Sequence, residues 1–430
     1  MSNTITSSAA SDATYPRLLP ALDVSGAPGL RLRPAAVVNA HLHAGFRIEH
    51  HTSIAEIGED AWNRLFPDAA EDWGYFRGCE RSGSSHFTFS ALAAYEGNQL
   101  VAAAPVFRLD YRLDMTLPPR LKAITEWIGR IMPRLAKVPV IGMGSPMTEE
   151  CPIGIDASLS PARHRAAFDA LLVALHRHAK SQRVKILALK DVTDADAQWA
   201  DPTIAAQGFA RMASLPLATL PLPFATFDDY LKSMPSRRRS DIRSKLKAAS
   251  GIETEMRDNI EDIYDDVIAL YRATRANRKA SYEAFDEVPE AYFREVMRNG
   301  RGKARALLCR HNGKLVSFAL FLVEKDKVIA KFIGMDYAVA RSLNLYFFNW
   351  MTIVRFCIEN GIPALQTGQT TYTVKVKLGS KMKRSWIHFK HTGLVLGWVL
   401  RKIGPLVSFE AADPDLKVLG DAVTYLAADA

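Results

Sequence analysis

Aspartate and glutamate are absent from residues 360–409, yet the stretch carries Lys375, Lys377, Lys381, Lys383, Arg384, Lys390, Arg401 and Lys402. No local carboxylate can neutralise these charges, so an anion is expected there. Cysteine is also scarce. Cys79, Cys151, Cys309 and Cys357 are far apart and form no Cys-x-x-Cys pair, which excludes a disulfide framework and a cysteine zinc site and leaves reduced, structural thiols. No run approaches the roughly 18 apolar residues needed to span a bilayer. The first dozen residues lack a basic region and an apolar core, so a secretory signal is not expected and a cytoplasmic location is. Gly142-Met-Gly144-Ser145-Pro lacks the Lys-Ser/Thr of a phosphate loop, and no Gly-x-Ser-x-Gly elbow occurs. His41, His43, His50 and His51 have no companion ligands at suitable spacing, so no metal is expected.

The chain has 430 residues, 48% hydrophobic and 23% charged, an ordinary composition for a packed globular protein of two domains. A formal charge of +9 favours acidic partners: nucleic acid, an anionic membrane surface or a phosphorylated small molecule. Composition does not choose among them.

Residues 1–45 are Pro/Ala-rich with little periodicity and read as a disordered or surface-draped lead-in. From Phe46 the pattern gives a strand, helices over 54–66 and 73–82, and a strand over 87–95. Glu96-Gly-Asn98 then makes a hairpin turn into 99–107. A helix over 161–181 leads to a strand over 184–189. The second half repeats the order: strand 253–257, helices 260–277 and 289–299, strand 304–310, the turn His311-Asn-Gly-Lys314, strands 315–324 and 327–334, helix 343–359 and strand 364–367. Tyr95-Glu-Gly-Asn-Gln-Leu-Val aligns with Arg310-His-Asn-Gly-Lys-Leu-Val, so an internal duplication is expected. In the second half the order of strand, polar turn, helix, strand and basic loop fits a phosphate-bearing cosubstrate at a helix N-terminus.

These residues resemble a known family. The duplicated unit, with Gly334-Met-Asp-Tyr, Tyr346-Phe-Phe-Asn-Trp, Ile358-Glu-Asn-Gly361, Gln366-Thr-Gly-Gln and Lys375-Val-Lys377-Leu-Gly, is similar to GNAT-superfamily N-acyltransferases of the Fem-like and BioF2-like groups over roughly residues 46–391. The resemblance implies an α/β (α+β) fold of tandem GNAT-like lobes, each a mixed, mostly antiparallel sheet flanked by helices. Their expected bounds are 46–225, with an amphipathic insert at 111–140, and 226–410, followed by a tail over 411–430. It implies acyl transfer to a primary amine without a covalent enzyme intermediate, with acyl-CoA as cosubstrate and no permanently bound cofactor. Some relatives of this kind make ceramide from a sphingoid amine. The Fem branch uses aminoacyl-tRNA and acts on cell-wall precursors. The loop over 338–344 departs from the family's Gly-rich pyrophosphate pattern, which shifts that role to Arg341 and to helix amides.

On this resemblance the strand over 327–334 parts from its neighbour to receive the donor, whose diphosphate meets the following helix at Arg341, Ser342 and Asn344. Arg238, in the dense basic run 236–247, and Lys375 and Lys377 are further candidates for binding the donor. The competing reading makes Ser342 an N-cap and the basic run a solvated face. For the chemistry, Asp336, Tyr372, His388 and His391 are the candidate proton-handling groups; each alone is more often structural. Residues 119–137 and 394–406 are basic amphipathic pieces with a Trp each, suited to the surface of an anionic membrane, although such helices more often face a core. The remaining alternatives are a tRNA-dependent transferase and a non-enzymatic membrane-surface scaffold whose cleft is filled.

Overall fold

The computed structural model of the protein describes residues 41–112, 137–277, 288–403 and 408–427. Of the expected lead-in only its end, and of the expected insert only its flanks, fall within these. The strand-forming runs assemble into two sheets. The first is ordered β1 (His41–His43), β2 (Phe46–His51), β3 (Phe87–Glu96), β4 (Gln99–Arg112), β5 (Lys137–Met143), β7 (Ile186–Thr193), β16 (Ser385–His391) and β8 (Ala210–Ala213), with β6 (Gly154–Ile155) on β4. The second is ordered β10 (Ile252–Arg257), β11 (Ala304–His311), β12 (Lys314–Val323), β13 (Val328–Met335), β14 (Ala364–Gln366), β9 (Leu217–Pro221) and β15 (Lys381–Lys383). Each sheet has one parallel contact between named strands, β5 with β7 and β13 with β14; the others are antiparallel. The fold is therefore the expected mixed α/β one, with two mostly antiparallel sheets flanked by helices in tandem GNAT-like lobes.

The two halves share local detail. Both hairpins turn through a positive-φ residue, at Gly97 and at Asn312-Gly313. Both also shift register at the same place, between Ala94 and Tyr95 in one and between Cys309 and Arg310 in the other. A bulge adds twist and re-aims the strand, so its recurrence at aligned positions supports duplication. The crossover helices correspond too. Helix α3 (Pro161–Ser181), started by Ser160 and Pro161, buries Phe168, Leu171, Leu172 and Leu175. Helix α9 (Leu345–Glu359) joins β13 to β14 and buries Leu345, Trp350, Met351, Ile353 and Val354.

The lobes are joined by a common core. Tyr75 and Phe76 of α2 (Trp73–Arg81) cluster with Tyr292 and Phe293 of α8 (Ala291–Asn299) and with Phe318 and Leu320 of β12. The helices meet closely because Gly74 has no side chain: a Cβ there would lie 2.2 Å from the Asn299 carbonyl oxygen.

The strand order cuts across the expected segments. A boundary after residue 225 does not separate the sheets, because β9 precedes it yet lies in the second sheet, whereas β16 follows it and lies in the first. Residues 381–390, within the stretch expected as a basic loop, correspondingly hold strands of both sheets. Strand formation follows local pattern, but partner choice is decided by burial on both flanks, which a local pattern does not record. The terminal segment is docked: Leu416 of α13 (Pro414–Leu419) packs with Met382, Tyr372 and Ala218, and Leu426 N–H donates to the Met382 carbonyl at 2.8 Å.

Candidate active site where two strands part

The parallel contact of the second sheet is short. β13 pairs with β14 only at Val328 with Leu365 and Ile329 with Gln366, near the start of β13. Its counterpart in the first sheet runs over Val140 to Met143 paired with Ile186 to Leu189, reaching the end of β5. Beyond Gln366 the chain turns to β9 instead: Thr367 N–H donates to the Ala218 carbonyl at 2.8 Å and Ala218 N–H to Gly368 at 3.2 Å. Among the described residues, 330–334 thus keep one edge without a strand partner, a backbone surface able to pair with an extended ligand, whereas Met335 N–H donates to the Thr274 hydroxyl at 2.9 Å. β13 is also bulged within this stretch. Leu320 faces Phe332 and Phe321 faces Ala330, so Lys331 is the extra residue. Continuing the parallel register by two residues sets Lys331 opposite Gly368.

A charged cluster occupies the opening. The Lys331 ammonium donates to Glu71, to a Glu149 oxygen at 3.0 Å and to the Met147 carbonyl at 3.0 Å. Glu71 comes from the segment before α2, and Glu149 from the segment after β5. Tyr75 donates its hydroxyl to the same Met147 carbonyl at 2.7 Å and lies 3.0 Å from the Tyr292 hydroxyl. The other Glu149 oxygen is 3.8 Å from where a Gly368 Cβ would stand, so this carboxylate bridges the gap. On the far side Lys375, on α10 (Tyr372–Lys377), donates to the carbonyls of Thr367 and Gly368.

Burial and charge set the protonation of the cluster. Loss of solvent lifts the Glu71 carboxyl to about 7; Lys331 opposes the shift and Glu149 adds to it. Burial disfavours the Lys331 ammonium, but Glu149 and Glu71 outweigh it and hold the group charged. Burial lowers Lys375 to about 7, against a smaller pull from Glu149. A cavity of about 400 Å³ adjoins the cluster, lined in part by Glu71, Glu150, Asp196, Glu324, Lys327 and Ile329. Glu150 lies 3.3 Å from Lys327 and 2.9 Å from Lys383, and these lysines overcome burial to keep its carboxyl below the usual range. A carboxyl titrating near neutrality beside an open cavity can exchange protons with a substrate at physiological pH.

A second feature follows β13. The chain turns through Asp336 to Asn344, where φ is +49°, and enters α9 with no side chain capping its first turn. Arg341 and Ser342 are exposed at this turn. Helix α6 (Ser236–Ala248) packs beside it, with the Lys245 ammonium 3.8 Å from the Phe347 ring centre. The α9 N-terminus, whose Leu345 N–H is taken by the Ala340 carbonyl at 3.0 Å but which has no side-chain cap, meets Arg341 and Lys245 of the basic α6 in an anion-ready corner, with Arg238 further along α6. The three residues expected at this turn are therefore together.

The proton-handling residues chosen from sequence are not. Asp336 is ion-paired with Lys314 at 2.8 Å and accepts from Ala338 N–H at 3.0 Å, contacts that hold its carboxyl below the ordinary range and leave a weak base. Tyr372 opens a helix instead of lying in a loop; it is fully buried and donates to the Pro216 carbonyl at 2.8 Å. His388 is buried in the first sheet, 2.9 Å from Asp201, and His391 accepts from Gly393 N–H at 3.0 Å beyond the same strand. Lys375 is buried against two carbonyls instead of offering its charge to a donor, while Lys377 is exposed on α10. Part of the anion expected by the acid-free stretch is the protein's own: Lys383 meets Glu150, and Arg384 lies 4.1 Å from the Tyr425 ring centre.

Glu71, Glu149 and Lys331 were missed. The one available signal was a lysine inside the apolar run Val328-Ile-Ala-Lys331-Phe-Ile, since a charge on a buried strand requires a partner. That partner is supplied by residues 182 and 260 positions earlier in the chain.

Helix α11 (Leu394–Ile403) presents an apolar surface to solvent: Leu394 is 91% exposed, Val395 80% and Trp398 58%. Arg401 and Lys402 flank it and are exposed. Among the described residues no helix is long and apolar enough to cross a membrane.

Residues 236–375, from α6 into α10, match the family described as "Acetyltransferase (GNAT) domain". No curated protein matches the chain by sequence. Among solved structures, FemX superposes with a TM-score of 0.54 at 13% identity, covering 83% of this chain and all of FemX. The C-terminal domain of a putative lysylphosphatidylglycerol synthetase from Agrobacterium fabrum gives 0.50 at 13% identity, covering 83% of this chain and 98% of that domain. At these identities the likeness is one of fold.

Proposed function

We propose that the protein is an N-acyltransferase that moves an acyl group from acyl-CoA to a primary amine, the amine being a long-chain, sphingoid-type base and the product an amide such as dihydroceramide. The observation that carries the acyl-CoA reading is the parting of β13 from β14 directly before the uncapped N-terminus of α9. An extended thioester arm pairs with the open edge of residues 330–334, its phosphates meet the α9 N-terminus, Arg341, Ser342 and the Arg238-bearing helix, and its carbonyl comes to the bulge at Lys331. The amine then attacks directly. The cavity beside that bulge favours a catalytic protein over a scaffold with a filled cleft.

The lipid acceptor is supported by α11. Its exposed Leu394, Val395 and Trp398 beside Arg401 and Lys402 suit an interface with anionic lipid, which fits peripheral attachment at the inner membrane surface. The test is incubation with palmitoyl-CoA and a sphingoid base followed by mass spectrometry. The long-chain amide is the expected product; its absence at all enzyme concentrations, with short-chain amides formed instead, would reject the lipid acceptor.

A second reading, aminoacyl transfer from tRNA to a cell-wall precursor, draws on the exposed Arg237, Arg243 and Lys247 of α6. Phosphate contacts release counterions, so tRNA binding would fall steeply with salt. No tRNA affinity at low salt removes this reading.

A further inference from the structure

We infer that Glu71, brought from the first lobe to the bulge of β13, is the group that takes the proton from the attacking amine, with Lys331 and Glu149 as its positioning residues. This rests on the acyl-transfer reading and assigns its proton acceptor.

The geometry selects Glu71 in three steps. An acceptor of the amine proton must stand where the parted strands expose the thioester; Lys331, Glu71 and Glu149 stand there, and Lys375 on the far side is committed to the Thr367 and Gly368 carbonyls. Of the two carboxylates, Glu71 lines the cavity, through which an amine enters and a proton leaves, whereas Glu149 points across to Gly368. The remaining acids of the second lobe's turn are committed elsewhere, Asp336 to Lys314 above all.

The surroundings fit the role. The titratable and charged groups facing Glu71 are Lys331 and Lys327 from the second sheet, Glu149 after β5, Tyr75 and Cys79 on α2, and Tyr292 on α8. One shared ammonium cannot fully stabilise two half-buried carboxylates, so one of them retains affinity for a proton. Burial raises the Glu71 carboxyl to about 7, high enough to accept a proton near neutrality. Lys331 keeps its own charge and so fixes the carboxylate without competing for the proton.

The reaction balances as follows. The ammonium substrate gives one proton to Glu71, which passes it to water through the cavity. The neutral nitrogen forms a bond to the thioester carbon, the C–S bond breaks, and the second nitrogen proton ends on the departing sulfur as free CoA thiol.

The test is the pH profile of kcat/KM for the amine, followed by thiol release with palmitoyl-CoA. Wild type shows an acid limb with its midpoint near 7. Glu71→Gln falls by at least ~100-fold at neutral pH, with the KM for palmitoyl-CoA unchanged, and loses that limb. Glu71→Asp retains the limb at a lower rate, and Glu253→Gln, exposed on β10 away from the cavity, behaves as wild type. Near-UV circular dichroism verifies that each variant is folded. A folded Glu71→Gln enzyme that keeps the wild-type limb overturns this assignment alone. Wild-type protein that releases no thiol with any amine overturns the assignment together with the acyl-transfer reading.

Discussion

The Lys331 ammonium lies 3.0 Å from a carboxylate oxygen of Glu149, joining a strand bulge of one sheet to a segment of the other. Glu71 reaches the same ammonium. A buried cation held by two acids from another part of the chain ties the assembly of the lobes to the assembly of the site. Neither half alone contains the whole cluster.

Replacing Lys331 by Met removes the buried cation and leaves the half-buried Glu71 and Glu149 without it. Breaking a buried ion pair from one side typically costs ~3–5 kcal/mol. Urea unfolding is expected to show a lower midpoint with an unchanged slope, and a midpoint within error of wild type would show that the ammonium is not needed there.

Arg341→Ala is expected to raise the KM for acyl-CoA by ~5–20-fold, with a smaller change in kcat, because it removes one charge-assisted contact to a phosphate. Asp336→Asn is expected to stay within about twofold in kcat, since that carboxylate serves Lys314 and the Ala338 amide. Initial-rate kinetics checks both. The reverse order of effects would return Asp336 to the chemistry and remove Arg341 from the donor site.

The double change Leu394→Ser with Trp398→Ser is expected to weaken sedimentation with anionic vesicles by at least tenfold. Burying a large apolar side chain is worth ~1.5–3 kcal/mol. Rates with a water-soluble short-chain amine should be unaffected. Vesicle binding equal to wild type would show that α11 is not the attachment surface.

The contribution of His178 to stability should fall on acidification, against an opposite contribution from the raised Glu71 carboxyl. Burial, with His50 stacked at 3.7 Å and Arg108 nearby, lowers His178 to about 4. A folded-state value below the unfolded one contributes stability that is present above about 6.5 and is lost as pH falls towards 4. Between pH 7.5 and 4.5 thermal melting should show His178→Gln gaining Tm relative to wild type as pH falls. A Tm difference that stays constant with pH would assign the acid sensitivity to other groups.

The legible parts of this protein are local. Glu96-Gly-Asn98 and Asn312-Gly313 mark the two hairpins because a tight turn needs positive φ, and the polar turn before Leu345 marks the start of α9 because helix entry leaves its own signature. The duplicated order of strands and helices followed from these signals. The exchange of β9 and β16 between sheets did not, since a strand's pattern states that it is buried and not beside what. The same limit hid the site's acids. Lys375, Tyr372 and His388 carry the right chemistry at plausible places in the chain, but burial gives them structural partners: the Thr367 and Gly368 carbonyls, the Pro216 carbonyl and Asp201. Glu71 looks unremarkable in sequence because its partner lies 260 residues away. The acid-free stretch was a true signal with a mixed cause, part of its charge being met by Glu150 and part facing outward on α11.

The most direct test of the acyltransferase claim is release of free CoA thiol by the purified full-length protein, measured with palmitoyl-CoA and acetyl-CoA against a panel of amines that includes a sphingoid base. The account predicts amine-dependent release, fastest for palmitoyl-CoA with the sphingoid base. Thiol release no faster than the enzyme-free background for every pair would contradict it.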